Sequence, residues 1–466
     1  MSAPVLWFLA PLGLAVLLWL FQYRERLVFA ISLLATAFLT LAAWAFPIGE
    51  AVELGPLSFE IAPTLNVLGR IFTLDGNDRA MIALIYLATT FWFAWSRLAK
   101  VHRYFIPLGL AMVALLVAAL AVEPFLYAAL LIEMAVLISI PMISPPGAPA
   151  GNATLRYVIF QTLAMPFILF TGWILTGAEA GPTEAGLIGK AGVLLGLGFA
   201  FLLAVFPFYT WIPLLAEQSH PYVVGFVITT LQTIVLLFGV TFLDHYTWLR
   251  SSPELFSVLL STGSLMIITG GIWAAFQSHL GRLMGYAIII ETGFALLAVG
   301  AAPQMGMDLF AMLFFPRLIG VGVWTMAISI LKEHGQSLDF RQLRGSNKRL
   351  RFVVGSLIVA QFSLAGLPVL ASFPIKQALV TAVGLESLPL ALAVLIGSGG
   401  MLLSAVRTLA AFLQVREENP EIKPETRYER AALVFGVFFL VFIGLAPQII
   451  LDQATSLLNA FSQLVW

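Results

Sequence analysis

Two things are scarce in this sequence, cysteine and charge. No cysteine is present, which excludes disulfide bonds, thiolate ligation of iron–sulfur clusters and a cysteine nucleophile within the chain. Only 10% of the 466 residues are charged, whereas 60% are hydrophobic. A soluble domain carries roughly 25% charged residues. So few charged groups could not cover a water-facing surface, and the composition therefore predicts an integral membrane protein.

Signatures of a cofactor, metal or nucleotide site are also missing. The formal net charge is zero, so the charge balance gives no reason to expect nucleic acid or an acidic substrate as a partner. The sequence has no nucleotide-binding glycine fingerprint and no Walker loop, and its five histidines are scattered. We therefore expect no cofactor, no metal and no catalytic redox site in this chain.

Apolar runs long enough to cross a bilayer recur along the whole chain. A helix needs about 20 apolar residues to cross the hydrocarbon layer. The predicted class is all-α, with about fourteen transmembrane helices. The first lacks the basic leading region and the cleavage site of a removed signal, so we expect it to remain. The predicted segments are residues 4–21, 27–46, 80–97, 105–122, 124–143, 157–176, 187–208, 222–243, 256–276, 283–302, 309–331, 352–385, 388–414 and 432–449.

The basic residues are distributed unevenly between the predicted loops. Of the 24 Lys and Arg residues, those that follow even-numbered segments are Arg70, Arg79, Lys190 and Arg250. Those inside segments or at their edges are Arg317, Lys376 and Arg407. All others follow odd-numbered segments. Because Lys and Arg collect in cytoplasmic loops, we predict that loops after odd-numbered segments are cytoplasmic and that both termini are non-cytoplasmic.

Paired prolines interrupt two of the long segments. Pro207 and Pro213 lie at the end of the seventh segment and just beyond it, and Pro368 and Pro374 lie in the twelfth. Proline removes an amide donor and leaves a helical carbonyl unbonded. Unwound backbone at membrane depth is tolerated only where protein or a water-filled cavity satisfies it. The sequence therefore predicts discontinuous helices at both places, although a single proline would be explained equally well by a packing kink.

The two breaks lie five segments apart, which is an odd number. Matching segments therefore enter the membrane in opposite directions, as in an inverted repeat. The pattern predicts three leading helices in residues 1–104, a first five-helix unit in 105–243 and a second in 256–414. A charged cytoplasmic loop, the fourteenth helix and the C-terminal tail are expected in 415–466.

Several ionisable residues lie within these predicted helices. Glu133 and Glu291 occupy the middle of the fifth and tenth segments. Arg317 lies in the eleventh, and Lys376 follows the second break. Burying charge in a membrane is costly, so such residues are candidates for ion transfer. Alternatives are a static hydrogen bond for each glutamate and an interfacial position for Lys376. Arg317 keeps its proton and is better suited to influencing a neighbour, and Arg407 is expected to reach toward the interface.

Five stretches carry a resemblance to a known family. They are FPFYTWIP at 206–213, HLGRLMGYAIIIETGFALLAVG at 279–300, FPRLIG at 315–320, LDFRQLRG at 338–345 and AGLPVLASFPIK at 365–376. With them, the chain resembles the antiporter-like subunits of respiratory complex I, a family shared with the large subunits of Mrp Na+/H+ antiporters and with membrane-bound hydrogenases. The resemblance implies fourteen helices in two inverted units, breaks in helices seven and twelve, and a line of buried acids and bases.

The resemblance also implies roles for individual residues. Glu133 matches the glutamate of helix five, and Lys376 matches the lysine or glutamate of helix twelve. Arg317 falls where the family usually has a lysine, and Glu291 replaces what is often a histidine. These four residues form the expected proton pathway.

The departures from the family pattern concern mainly the first unit. The usual lysines of helices seven and eight are missing, because their positions hold Leu202 and Ile234. The usual histidine one helical turn before the arginine of helix eleven is Leu313. Polar groups that could extend the pathway are Gln232, Gln361 and Tyr209.

Together these features favour a proton-translocating, antiporter-like membrane subunit of a complex-I-like NADH:quinone oxidoreductase, with an incomplete first half-channel. Its partners would be other membrane subunits, redox subunits that supply the driving force, the lipid bilayer, and protons or Na+, in a bacterial plasma (inner) membrane. One alternative is an Mrp-type cation/proton antiporter subunit, or a membrane subunit of a hydrogenase or of an inorganic-carbon uptake complex. Another is a structural subunit that no longer transports, which the missing lysines would explain.

Overall fold

The chain folds into a bundle of long helices with one small β region. The computed structural model describes residues 2–54, 57–67, 69–147, 151–179, 185–301, 306–343, 350–414 and 424–464. A helical turn at Val5–Leu9 leads directly into the first helix. The helices are α1 (Ala10–Leu20), α2 (Glu25–Ala45), α3 (Arg79–Ser96), α4 (Phe105–Ala121), α5 (Ala128–Ile143), α6 (Asn152–Glu179), α7 (Ala185–Leu202), α8 (Trp211–Gln218), α9 (Pro221–His245), α10 (Thr247–Arg250), α11 (Pro253–Phe276), α12 (Leu280–Gly300), α13 (Met307–Glu333), α14 (Arg351–Ala365), α15 (Phe373–Glu386), α16 (Leu388–Leu413), α17 (Arg427–Leu445) and α18 (Gln448–Leu457).

The helices confirm that this is an integral membrane protein. Within the described residues, nine helical stretches are long and apolar enough to cross a membrane. Shorter apolar helices lie at Val5–Leu20, Phe105–Ala121, Gly186–Leu202 and Arg351–Ala365. The seventh predicted segment is helical only as far as Leu202 and is followed by the separate short helix α8. The twelfth is divided into α14 and α15.

The chain is mostly helical, as the predicted all-α class requires, but the long connection between α2 and α3 contains short strands. This connection forms the hairpin of β1 (Ala51–Leu54) with β2 (Leu57–Glu60), in the register Ala51↔Glu60. A second hairpin pairs β3 (Thr64–Val67) with β4 (Arg70–Thr73), and β4 also pairs with β5 (Val122–Glu123). Pairing between these short strands satisfies backbone groups that no helix bonds here.

Three helices form the centre of the bundle. The apolar windows of α9, α12 and α13 are 83%, 94% and 89% buried within the chain, against 28% to 44% for the other long membrane helices. The outer helices therefore expose apolar side chains to lipid. The central three are enclosed by protein on almost every side. Any polar side chain that they carry must find its partners inside the bundle.

Each broken helix unwinds differently. After α7, Ala204 has a φ of +52°, the Phe206–Pro207 peptide is cis, and a single 3-10 turn leads into α8. Helix α14 ends at Ala365, and Gly366 follows in the left-handed conformation with a φ of +83°. Glycine adopts this conformation without the steric cost of a Cβ atom, and it is the common stop of a helix.

Glycines bring α11 and α16 into direct backbone contact. Gly397 packs on Ile267, and a Cβ atom at Gly397 would lie 2.7 Å from Ile267 Cγ2 and nearer still to its carbonyl group. By contrast, a Cβ atom at Gly399, two residues along the same helix, would meet nothing within 4 Å. The contact between the two helices thus requires glycine at one position and not at the other.

We predict that Gly397→Leu destabilises the bundle and that Gly399→Leu does not. Overpacking a tight contact costs typically about 1–3 kcal/mol. The measurement is the thermal unfolding midpoint of each variant in the same neutral detergent. Equal midpoints for the two variants would contradict the close approach of α11 and α16.

Candidate functional site

A buried ion pair joins two of the predicted site residues. Lys376 Nζ of α15 lies 2.6 Å from Glu291 Oε1 of α12, and the side chains are 5% and 1% exposed. The same ammonium donates to the carbonyl of Leu364 in the last turn of α14. It also lies 4.2 Å from the centre of the Phe294 ring. The end of the broken helix thus supplies a carbonyl, at the negative end of its dipole, to hold a cation.

Arg317 occupies the next part of the site. From α13, its Nη2 donates to Gln232 Oε1 at 2.8 Å and to Thr292 Oγ1 at 3.1 Å. The Thr292 hydroxyl in turn donates to Gln232 Oε1 at 2.7 Å. Arg317 is buried, and its Nε and Nη1 have no hydrogen-bond partner among the described residues. The partners of the guanidinium are therefore neutral. One of them, Thr292, directly follows Glu291 in the sequence.

Glutamine side chains satisfy the carbonyls that the first break leaves open. Gln232 Nε2 of α9 donates to the Leu203 carbonyl at 3.3 Å. Gln161 Nε2 of α6 lies 3.5 Å from the Phe201 carbonyl and 3.4 Å from the Leu202 carbonyl. Neutral amides therefore bond the open carbonyls of the first break, whereas a lysine bonds a carbonyl of the second.

A line of polar contacts consequently connects the two broken helices. It passes from the first break through α9, α13 and α12 to the second, and one step follows the backbone between adjacent residues of α12. Its members in order are Leu203, Gln232, Arg317, Thr292, Glu291, Lys376 and Leu364. Each member except the two carbonyls contributes its side chain.

Three other predicted residues lie apart from this line. Glu133 is half-buried on α5 and accepts a hydrogen bond of 2.7 Å from Thr162 Oγ1. Tyr209 is buried, with its ring 6.5 Å from that of Tyr286. Gln361 is fully buried on α14, and neither of its amide atoms has a partner among the described residues.

The four prolines lie at or beside the breaks. Pro207 precedes the 3-10 turn, Pro213 lies inside α8, Pro368 lies between α14 and α15, and Pro374 is in the first turn of α15. Pro213 also sets the packing of α8, because a Cβ atom on Gly285 of α12 would lie 2.7 Å from its Cα atom.

At the family's lysine positions of the first unit, the side chains are apolar and buried. Leu202 and Ile234 are both in the hydrophobic core, as is Leu313. Arg407 Nη1 donates to the Ala275 carbonyl at the end of α11, and its expected reach toward the interface stays a prediction. At that carbonyl it acts as a cation at a helix C-terminus.

Sequence reasoning missed Thr292, Gln161 and Thr162. Thr292 adjoins Glu291, and its position next to a buried acid is the one signal that could have indicated it. Gln161 and Thr162 are polar residues in the middle of an apolar segment, which marks them only weakly. No cluster of metal-binding side chains occurs among the described residues.

Gln232 should contribute more to stability than Gln361. In Gln232→Leu, the Leu203 carbonyl and the Arg317 guanidinium lose a partner, and leaving a buried polar group unsatisfied costs about 1–3 kcal/mol. Gln361→Leu removes an equally buried amide that has no bond to lose. Thermal unfolding in detergent should give a lower midpoint for Gln232→Leu, and a lower midpoint for Gln361→Leu would contradict the described network.

Solved structures with a similar fold are membrane complexes. One is the Mrp complex from Dietzia sp., with a TM-score of 0.79 and 18% identity over 99% of this chain and 97% of that chain. Another is respiratory complex I from Thermus thermophilus with bound NADH, with a TM-score of 0.75 and 20% identity over 99% of this chain and all of that chain. At these identities the likeness concerns the fold.

Sequence relatives give a consistent assignment. NADH-quinone oxidoreductase subunit N 1 from Herpetosiphon aurantiacus is 26% identical over 338 residues, which are 67% of this chain and 68% of that protein. NADH-quinone oxidoreductase subunit N from Rhodococcus opacus is 25% identical over 329 residues, 65% of this chain and 59% of that protein. The family described as NADH:quinone oxidoreductase/Mrp antiporter, TM matches residues 150–404. Since that match spans more than half of the residues, the chain belongs to this transmembrane family of oxidoreductase and antiporter subunits.

Proposed function

We propose that the chain is a proton-translocating, antiporter-like membrane subunit of a complex-I-like NADH:quinone oxidoreductase. The observation that carries this proposal is the buried pair of Glu291 and Lys376, with Arg317 beside it. An acid and a base that meet inside a membrane bundle can change protonation state together when their contact opens or closes. In no other ion pair among the described residues are both side chains as deeply buried.

Proton transfer follows from the cost of separating the pair. While the contact is closed, each charge stabilises the other. When it opens, two buried charges lose their compensation, and removing one partner of such a pair costs about 3–5 kcal/mol. A proton that leaves Lys376 Nζ and one that binds a Glu291 carboxylate oxygen each remove an uncompensated charge. A conformational change that opens the pair can therefore release a proton on one path and take one up on another.

Arg317 has a different role in this scheme. Its guanidinium stays charged, so it does not exchange protons. It places a fixed positive charge beside the pair of Glu291 and Lys376, through its contact with Thr292. The exchangeable protons are then carried by Glu291 and Lys376 alone.

Helix packing supports fourteen crossings in two inverted units. Counting α7 with α8 and α14 with α15 as one crossing each, and leaving out the short helices α10 and α18, gives this number over the described helices. Matching pairs are in contact in both halves, with the first unit formed by α4 to α9 and the second by α11 to α16. The equivalent contacts are α4–α5 with α11–α12, α5–α6 with α12–α13, α6–α7 with α13–α14, and α4–α9 with α11–α16.

In this proposal only the second unit has a complete acid–base pair. Glu133 has a hydroxyl partner and no Lys or Arg within 4.0 Å among the described residues. Neutral amides occupy the first break. We infer that the first half-channel is incomplete and that Glu133 is an altered proton-binding position in it.

The driving force is proposed to come from partner subunits. The support for this is that the chain's sequence relatives are named as subunits of NADH-quinone oxidoreductase. We place it in a bacterial plasma membrane with both termini non-cytoplasmic, which the distribution of Lys and Arg supports.

A second candidate is a subunit of an Mrp-type cation/proton antiporter. The fold matches the Mrp complex from Dietzia sp. at least as well as it matches complex I. Mass spectrometry of the complex purified in mild detergent separates the two. Quinone-reactive and iron–sulfur subunits would support the first function, and only small membrane subunits would support the second.

Glu291→Gln and Lys376→Ala should each abolish most of the proton pumping by the intact complex. Either change leaves one buried charge without its partner. The measurement is proton uptake into membrane vesicles, normalised to the amount of assembled complex. Glu217→Gln, in the partly exposed 2.7 Å pair with Arg282, is the matched control and should pump normally. Undiminished pumping by both site variants would refute the proposed function.

Glu133→Gln should have a much smaller effect, on the order of twofold or less. The glutamine keeps an acceptor for Thr162, and no ion pair is lost, so the change resembles the loss of one neutral hydrogen bond. The same vesicle assay applies. A loss as large as that of Glu291→Gln would show that the first half-channel is complete after all.

A further inference from the structure

A polar pocket of about 370 Å³ lies where the α1–α2 and α3–α4 loops meet, and it shares no residue with the proton site. Both loops follow odd-numbered crossings, so the pocket lies on the face that the basic residues mark as cytoplasmic. Arg97, Lys100 and Arg103 line it, together with Gln22 and Glu25. Three cations against one carboxylate make the lining positive.

Two of these cations are available to a ligand. Arg97 lies 5.3 Å above the Phe29 ring and Arg103 lies 4.5 Å above the Tyr23 ring. No carboxylate of the described residues lies within 4.0 Å of either guanidinium, whereas Lys100 is paired with Glu333 at 3.0 Å. Aromatic faces hold the two arginines in place without neutralising them.

Buried polar atoms in the pocket lack partners. Arg103 Nε and Gln22 Oε1 are both buried and have no hydrogen bond among the described residues. Such atoms are costly unless a ligand or solvent satisfies them. An unbonded guanidinium N–H in a positive pocket calls for an anionic acceptor.

His102 adds a neutral donor. Its Nδ1 accepts the Tyr104 N–H at 3.4 Å, so the neutral ring carries its proton on Nε2. Burial, and then the neighbouring charge of Arg103, lower the pKa of His102 below its ordinary value of 6.5. The ring is therefore mostly neutral at pH 7 and can donate through Nε2 without adding charge.

Below the charged groups the wall of the pocket is apolar. Val28 and Phe29 of α2 and Ile106 of α4 form it, and both helices continue into the hydrocarbon layer. A free anion would use only the upper part of this pocket. A molecule with a phosphate and an attached acyl chain would match both parts.

We propose that this pocket binds the phosphate group of an anionic membrane phospholipid. Arg97 and Arg103 hold the phosphate oxygens, because a guanidinium presents a planar fork of donors that matches phosphate. The apolar wall holds the start of the acyl chain. Basic residues at the cytoplasmic surface also attract anionic lipids generally, so the test must separate this pocket from that background.

The test is lipid binding by the full chain in neutral detergent, measured by native mass spectrometry. The probes are phosphatidylglycerol, phosphatidylcholine and inorganic phosphate. The pocket variant Arg97→Gln/Arg103→Gln is compared with Arg24→Gln/Arg26→Gln, which removes two charges from the same face but outside the lining. We expect the pocket variant to bind phosphatidylglycerol about tenfold or more weakly, since several charge-assisted bonds are lost, and the control to bind it normally.

Equal losses in the two double variants would overturn the proposal, because they would indicate general attraction to the basic face. Binding of phosphatidylcholine as tight as that of phosphatidylglycerol would also overturn it. Displacement of the lipid by an equal concentration of inorganic phosphate would assign the pocket to a free anion instead. If the double variant does not fold, Arg103→Lys keeps the charge but loses the planar fork, and it should still weaken binding measurably.

Discussion

The rest of the site depends on the rule that a charge inside a membrane bundle must be compensated. The contact between Lys376 and Glu291 satisfies that rule, and it requires a broken helix. An intact α14–α15 helix would bond its own carbonyls and could not offer that of Leu364 to the lysine. The left-handed turn at Gly366 ends α14 at the place where this carbonyl becomes available. Prolines, glycine and lysine in this short stretch are thus parts of a single arrangement.

The first break also leaves backbone carbonyls that need a hydrogen-bond donor, but here the donors are neutral. Its open carbonyls at 201–203 are bonded by the amides of Gln161 and Gln232. Neutral amides satisfy the backbone as well as a lysine does, and they avoid the cost of burying a charge. The backbone of a discontinuous helix can therefore be satisfied without a proton-exchanging group at the break. Gln232 also accepts a hydrogen bond from Arg317 with its Oε1 atom. The residue that bonds the first break therefore also holds a cation of the second site in place.

Some of this could be predicted from the sequence and some could not. Paired prolines and lone charges in apolar runs are strong local signals, and they indicated both breaks together with Glu291 and Lys376. Which acid meets which base is not local, because these two residues are 85 positions apart. Neutral polar residues such as Thr292 and Gln161 are common in membrane helices and give no signal until their neighbours are known. The strands between α2 and α3 were missed because each is only four residues long.

The charge count of the site limits how it can work. With both bases charged, the site contains two cations, Arg317 and Lys376, and one carboxylate, Glu291. In the proposed scheme, after Lys376 has released its proton and before Glu291 binds one, the site holds one cation, Arg317, and one carboxylate, Glu291. A lysine at position 317 could share or compete for the transferable proton, whereas arginine cannot. In the proposed scheme the arginine therefore restricts the exchange to a single base. Proton exchange in the second unit would then take place between one acid, Glu291, and one base, Lys376.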